Sequence, residues 1–392
     1  MKKSMPVFKS TSFICLDYPH QLLPALTALD YQGSAKEEIL LFIKYQHASK
    51  MGSEEHRLIQ NLVSHFPDIR FFTAKKWMCN PQLPVRLRAY FLRNAFKHHH
   101  INQIFFAHDV SSDFTAQVLM QAFPKATRIC YGDSFGLVYS HAYFESLMYY
   151  GLRSFTSFAS KLKRKWILPR ALHRLHPAVA ILAIPCDPGM DFIMHCELKI
   201  PPKKLLHRTI VSMNKGLPDF SSYLKEIISQ ARFPLIILAT SNLTESKLCE
   251  QHNEIALYLD IIKAEVNSPA TILIKPHPGS SQSTMNELAS SLREQHDVII
   301  FDKKYNALPI ELAEELIKNS KILSISYASI SIPYLYNSPV KHALSHDLIT
   351  RYIYPEKQNW LNSNNDLYLK MINALKKWGG DAPLELENQD AN

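Results

Sequence analysis

The clearest chemical signal in this chain is the stretch Thr271-Ile272-Leu273-Ile274-Lys275-Pro276-His277-Pro278-Gly279. A β-branched, apolar run reads as a buried strand, and it stops abruptly at a histidine bracketed by prolines. Pro276 and Pro278 bias the residues before them, Lys275 and His277, to extended backbone. Both side chains are thereby expected at the carboxyl end of a strand, where open α/β sheets take their ligands. A cation beside a stiffly held imidazole suits a phosphate or another anionic leaving group. The plainer alternative is a strand that ends at a turn containing a histidine.

Other positions in the second half could serve the same chemistry. Ser329, with Ser326 and Ser331 nearby, opens a helix directly after an apolar strand. A hydroxyl beside free backbone N–H groups at a helix start makes a phosphate site, although simple N-capping uses the same residue. Glu311, in Leu308-Pro309-Ile310-Glu311, falls in a first helical turn. A carboxylate there is favoured by the helix dipole and is also placed to accept from a ribose.

In the first half, Tyr131-Gly132-Asp133-Ser134-Phe135-Gly136 follows a strand. Asp133 is a candidate general base for a sugar hydroxyl, or else an Asx-turn residue between glycines. His108-Asp109 offers a second pair on the same rim. Three consecutive histidines, His98, His99 and His100, point in different directions on a helix, so they read as an exposed helix end and not as a metal site.

The elements that must position these residues alternate regularly. Strand patterns cover 12–16, 39–45, 69–73, 103–107 and 127–131, with helical patterns at 21–29, 54–64, 85–96 and 114–123 between them. Such alternation argues for a parallel, doubly wound sheet whose strand ends share one side. Two short strand-like runs follow at 179–184 and 191–195, and then a polar segment containing Pro201-Pro202-Lys203-Lys204.

A second alternating unit begins near Phe220. It has strands at 235–239, 298–301 and 322–326, the apolar run that ends in Lys275-Pro276-His277-Pro278, and helices at 220–231, 246–264, 284–294 and 309–318. A final helix is expected over 362–378. Two Rossmann-like halves around an irregular middle describe an α/β, GT-B-like protein better than one continuous sheet does. The boundaries expected are 1–205, an acceptor-side domain, and 206–392, a nucleotide-sugar-binding domain, the two facing a central cleft.

Composition narrows the options. Hydrophobic residues make up 46% and charged residues 20% of 392 positions, a globular balance, and net charge is +9. That charge favours anionic partners, yet no nucleic-acid-reading motif is present. With ten glycines and no GxGxxG or Walker loop, a glycine-cradled cofactor is not expected. Six scattered cysteines read as reduced thiols. No run approaches the roughly 18 apolar residues of a membrane span. Cytoplasmic residence is therefore expected.

The segment 146–186 lacks Asp and Glu and interleaves Arg153, Lys161, Lys163, Arg164, Lys165, Arg170 and Arg174 with apolar residues. Its 152–174 portion fits a basic amphipathic helix on the inner-membrane surface or a track for an anionic acceptor, and also a solvated helix at a domain junction.

The Lys-x-His-Pro strand end, the Pro-x-Glu helix start and the serine-led helix resemble bacterial sialyltransferases of GT-B architecture. The resemblance is to the polysialyltransferase and lipooligosaccharide sialyltransferase group, and the order of the motifs covers most of the chain. It implies that His277-Pro278 binds the phosphate of cytidine monophosphate, that Glu311 holds the ribose, and that Lys275 and Ser329 complete the donor site. It also implies Asp133 as general base. This chain departs from the pattern at Gly132, Ser134 and Ala328, where the group has an acid, a glycine and a hydroxyl.

The expectation is thus an inverting, metal-independent transferase with no cofactor. It would carry a sialic-acid-like sugar from a CMP-activated donor to an anionic glycan or glycolipid acceptor, with no nucleic-acid partner. Alternatives are a CDP-glycerol-type polyol-phosphate transferase, a CMP-Kdo transferase, and a non-enzymatic nucleotide-sugar-binding partner.

Overall fold

In the computed structural model, the residues described are 10–16, 19–33, 38–43, 53–66, 69–73, 83–107, 114–131, 178–184, 197–325 and 329–377. The chain divides into two compact units, Met1–Pro185 with Gly189–Gly216 and Cys186–Pro188 with Leu217–Asn392.

The first unit is organised on seven strands: β1 (Ser10–Leu16), β2 (Glu38–Ile43), β3 (Ile69–Thr73), β4 (His100–Phe106), β5 (Thr127–Cys130), β6 (Val179–Ile181) and β7 (Glu197–Lys199). They lie in the order β3-β2-β1-β4-β5-β6-β7. All described pairings are parallel, with Phe13 opposite Leu40 on one side and Ile104 on the other. A core of Phe13, Leu40, Ala89, Leu92, Phe96, Ile104, Val118 and Leu119 joins this sheet to the helices Val85–Ala95 and Phe114–Ala122.

The helix Lys203–Lys215 also belongs to this unit. Its Arg208 reaches Asp30, in the helix Leu22–Tyr31, at 2.5 Å. Gly216 closes it against the helix Ser53–Val63 so tightly that a Cβ would meet the Asn61 carbonyl oxygen at 2.0 Å. The boundary expected at 205/206 falls inside this helix.

The second unit carries five parallel strands: β8 (Leu235–Ala239), β9 (Thr271–Lys275), β10 (Asp297–Ile300), β11 (Ser320–Ser324) and β12 (Val340–His342), ordered β10-β9-β8-β11-β12. β8 is buried at every position and β9 at all but its last, as near-continuous apolar runs require when helices cover both faces. The chain winds outward from β8 through β9 to β10, then returns to place β11 on the other side of β8. That reversal makes a switch point beside β8, where doubly wound sheets open a crevice at their carboxyl ends. The expectation of two Rossmann-like halves therefore holds.

Some boundaries differ for physical reasons. The expected helix 246–264 begins only at Gln251, because Lys247 adopts a left-handed φ of 58° and closes a turn in which the Leu248 N–H bonds the Leu243 carbonyl. The expected helix 309–318 is two pieces, a single 3₁₀ turn at Ile310–Leu312 and the helix Glu314–Lys318, broken at Ala313. The final helix starts earlier than expected and runs Pro355–Lys377. The segments 191–195 and 152–174 lie outside the described residues. Among the described residues, no helix is long and apolar enough to cross a membrane.

Candidate functional site

The residues expected to hold the donor gather at the carboxyl end of the second sheet. β9 ends at Lys275, and its edge is laced to the end of β8 through Thr240. The Thr240 N–H donates to the Lys275 carbonyl at 3.1 Å, and the Thr240 hydroxyl accepts from the His277 N–H at 3.2 Å. The backbone on either side of Pro276 is thereby fixed to the sheet edge.

Pro278 then turns the chain. The Ser280 N–H reaches back to the His277 carbonyl at 2.9 Å, and the Gly279 N–H donates to Nδ1 of the His277 ring at 3.0 Å. Accepting on Nδ1 leaves Nε2 to carry the proton of the neutral imidazole, so the ring is set as a donor from Nε2. A Cβ on Gly279 would come within 2.9 Å of Asn242 Nδ2 and 3.3 Å of His277 Nδ1. Glycine is what lets this amide approach the ring.

Lys275 does not point alongside His277. Its ammonium donates to both the carbonyl oxygen of Asn306, at 2.7 Å, and its Oδ1, at 2.8 Å, and lies 5.2 Å from the Phe301 ring centre. Loss of water around it pulls its pKa from 10.5 to about 7, against the opposing attraction of Glu311. Leu273, Phe301, Leu308 and Pro309 wall the space around it. Asn306 in turn donates from Nδ2 to the His277 carbonyl at 3.3 Å. The lysine therefore supports the histidine through Asn306, a residue that sequence reasoning missed.

Glu311 is buried, at 5% exposure, in the 3₁₀ turn. The Ser331 hydroxyl donates to its carboxylate at 2.5 Å, and the Tyr336 hydroxyl donates to its backbone carbonyl. The carboxylate thus ties the start of the helix Ser331–Tyr336 to the turn beyond Pro309.

Ser329 lies just ahead of that helix and is fully buried. Tyr368, close by, is buried as well, and burial raises its pKa to about 12. Nearby, His342 stacks on Tyr368 with ring centres 4.0 Å apart and shares a short hydrogen bond with Asn365. Burial lowers the His342 pKa to about 4 and so keeps it neutral.

The loop after β8 is held from below. Glu254, fully buried, accepts from the Thr244 N–H at 2.8 Å and the Thr244 hydroxyl at 2.5 Å. The Ser241 N–H donates to the Tyr258 hydroxyl at 2.7 Å. On the surface, Glu245 accepts from the Ser281 N–H at 2.7 Å, and the Ser280 hydroxyl reaches the Ser241 carbonyl at 3.1 Å.

The structure thus brings Lys275, His277, Pro278, Glu311 and Ser329 to one edge of one sheet. Asp133 and the pair His108-Asp109 lie outside the described residues. Among the described residues, no cluster of three or more His, Cys, Asp or Glu side chains has the geometry of a metal site.

Comparison with known proteins bears on this edge. Residues 190–337 match the family model described as alpha-2,8-polysialyltransferase (POLYST). The matched segment contains every donor-site candidate of the second unit, and Asp133 lies before it. No curated protein sequence matches the chain.

Among solved structures, the 2,6-sialyltransferase of Photobacterium sp. JT-ISH-224, in complex with CMP and lactose, is similar at 12% identity and a TM-score of 0.50, over 82% of this chain and 69% of that one. The UGT73P12 of Glycyrrhiza uralensis is similar at 7% identity and a TM-score of 0.50, over 96% and 91% of the two chains. At these identities the likeness is one of fold, two parallel α/β units of GT-B type. The family match supports a glycosyltransferase of the sialyltransferase and polysialyltransferase group.

Proposed function

We propose that this chain is an inverting, metal-independent glycosyltransferase that moves a sialic-acid-like sugar from a CMP-activated donor to a surface glycan, whether lipooligosaccharide, O-antigen or capsule. The observation that carries the reading is His277. It stands at the carboxyl edge of a sheet within the polysialyltransferase-matched segment, and the Gly279 amide sets its tautomer. The CMP and lactose named with the 2,6-sialyltransferase support a cytidine nucleotide donor and a glycan acceptor.

In this mechanism Asp133 takes the proton of the acceptor hydroxyl as its oxygen attacks the anomeric carbon. The bond from that carbon to the phosphate oxygen breaks, and CMP leaves with the electron pair. His277 donates from Nε2 to the departing phosphate, where negative charge grows, so its hydrogen bond strengthens as the reaction proceeds. Lys275 fixes Asn306, which holds the His277 backbone. Ser329, itself buried, would act through its backbone turn and not through its hydroxyl, and Glu311 keeps the following helix start in place through Ser331.

The test is transfer from CMP-sialic acid to a panel of glycans, followed by product mass. A sugar-acid increment without retained phosphate is expected, at a rate that EDTA leaves unchanged. Asp133→Ala and His277→Ala should each lower the rate by about 100-fold or more with thermal unfolding preserved. Wild-type rates in both variants, or a product retaining phosphate, would overturn the reading.

A further inference from the structure

The loop that follows β8, Thr240-Ser241-Asn242-Leu243-Thr244, is bound down along its length. The Thr240 hydroxyl accepts from the His277 N–H, and the Ser241 N–H and carbonyl both meet the Tyr258 hydroxyl, at 2.7 and 3.2 Å. Leu243 is buried, and Thr244 is held by Glu254. The Asn242 carbonyl accepts from the Ser246 N–H at 2.9 Å. What the loop leaves over is the partly buried Asn242 side chain. Among the described residues, no hydrogen bond engages its amide.

The ordinary uses of an asparagine in such a loop are both closed. In an Asx turn the side-chain oxygen accepts from the N–H two residues on. Here that N–H belongs to Thr244 and is spent on Glu254 at 2.8 Å. A helix cap needs a helix directly after it, and the next helix begins only at Gln251. The amide stands instead beside the candidate site. A single point, where a Gly279 Cβ would lie, is 2.9 Å from Asn242 Nδ2 and 3.3 Å from His277 Nδ1. The carboxylates of the neighbouring chain, Glu245 and Glu254, are already engaged by the Ser281 N–H and by Thr244.

We infer that Asn242 is a donor-binding residue, its Nδ2 donating to an anionic oxygen of the nucleotide sugar beside the one that His277 meets. An amide hydrogen bond to a charged oxygen is stronger than one between neutral groups. The anchored loop also spares the entropy of ordering the side chain's backbone on binding. A CMP-activated sugar acid offers such oxygens on both sides of the bond that breaks, in the phosphate and in the carboxylate on the anomeric carbon. The chemistry recognised is the same in either. The inference rests on the reading of this edge as the donor site, and it adds to that site a residue outside the Lys-x-His-Pro, Pro-x-Glu and serine motifs.

The test is thermal unfolding and equilibrium titration of the full chain with CMP, UDP and CMP-sialic acid, for wild type, Asn242→Ala and Asn242→Asp. Unliganded unfolding should be the same in all three proteins, because the amide has no hydrogen bond to lose. Asn242→Ala should raise the dissociation constant about tenfold or more. Asn242→Asp keeps the shape but turns a carboxylate toward the anion, and should raise it further. A loss shared by CMP and CMP-sialic acid puts the contact on the phosphate, and a loss confined to CMP-sialic acid puts it on the sugar carboxylate. Variants that bind every nucleotide as wild type does, or a loss matched by earlier unliganded unfolding, would overturn the inference. The transferase reading fails separately, if wild type takes UDP and not CMP while the Asn242 variants still lose binding. Wild type that binds none of the three would overturn both.

Discussion

Lys275 and His277 look alike in sequence, as two basic side chains at one strand end, yet the fold gives them different work. His277 turns onto Gly279, while Lys275 turns inward to Asn306. Burial pulls the Lys275 pKa from 10.5 to about 7. The folded chain therefore releases this proton near pH 7, whereas the unfolded chain holds it up to about 10.5. Between those values the unfolded state binds more protons, so this group makes stability rise with pH, by up to about 1.4 kcal/mol per unit. Urea unfolding at about pH 7 and about pH 9 should show wild type gaining on Lys275→Met as the pH rises. Parallel behaviour would mean that the ammonium remains hydrated. The strand end was readable because proline and β-branched residues act locally. Asn306 was not, since its role depends on a contact across 31 positions that no local pattern announces.

Glu254 shows how an element is fixed beneath the site. It lies in the helix Gln251–Glu265 and holds the turn after β8 through Thr244. Burial raises its pKa above 4.5. The folded chain then holds this proton more tightly than the unfolded chain, so this contribution is complete below about 4.5 and is lost as the pH rises. A neutral side chain of the same shape removes that loss. Glu254→Gln should stay within about 1 kcal/mol of wild type at neutral pH, while Glu254→Ala, which strands the Thr244 donors, should cost about 3 kcal/mol in urea unfolding. Equal losses in both variants would contradict this account. The long apolar strand β8 was predicted to the residue, and β9 was expected in the run that ends at Lys275-Pro276-His277. The helix Lys203–Lys215 was read only as a polar segment, although Leu206, Thr209, Ile210 and Met213 recur at helical spacing and are buried. Pro201 and Pro202 stand directly before that period and break the pattern at its start. β12, three residues long, is too short to show any alternation.

Across the whole molecule, the alternation of strands and helices was enough to foresee two doubly wound sheets, because each crossover leaves its own apolar period in the sequence. The order of strands within each sheet was not foreseeable from those periods, and it is the return of the chain to β11 beside β8 that creates the candidate edge. The net charge of +9 fits an anionic donor. The central claim is that the edge carrying His277 takes a cytidine monophosphate without a metal. The most direct measurement is thermal unfolding of the full chain with CMP, CDP, UDP and GDP, each with magnesium and with EDTA. At 100 times its dissociation constant a bound nucleotide stabilises by about 2.7 kcal/mol, a readily visible shift. The account predicts a shift selective for CMP, indifferent to EDTA and lost in His277→Ala. A preference for UDP or GDP, or a shift that requires magnesium, would contradict it.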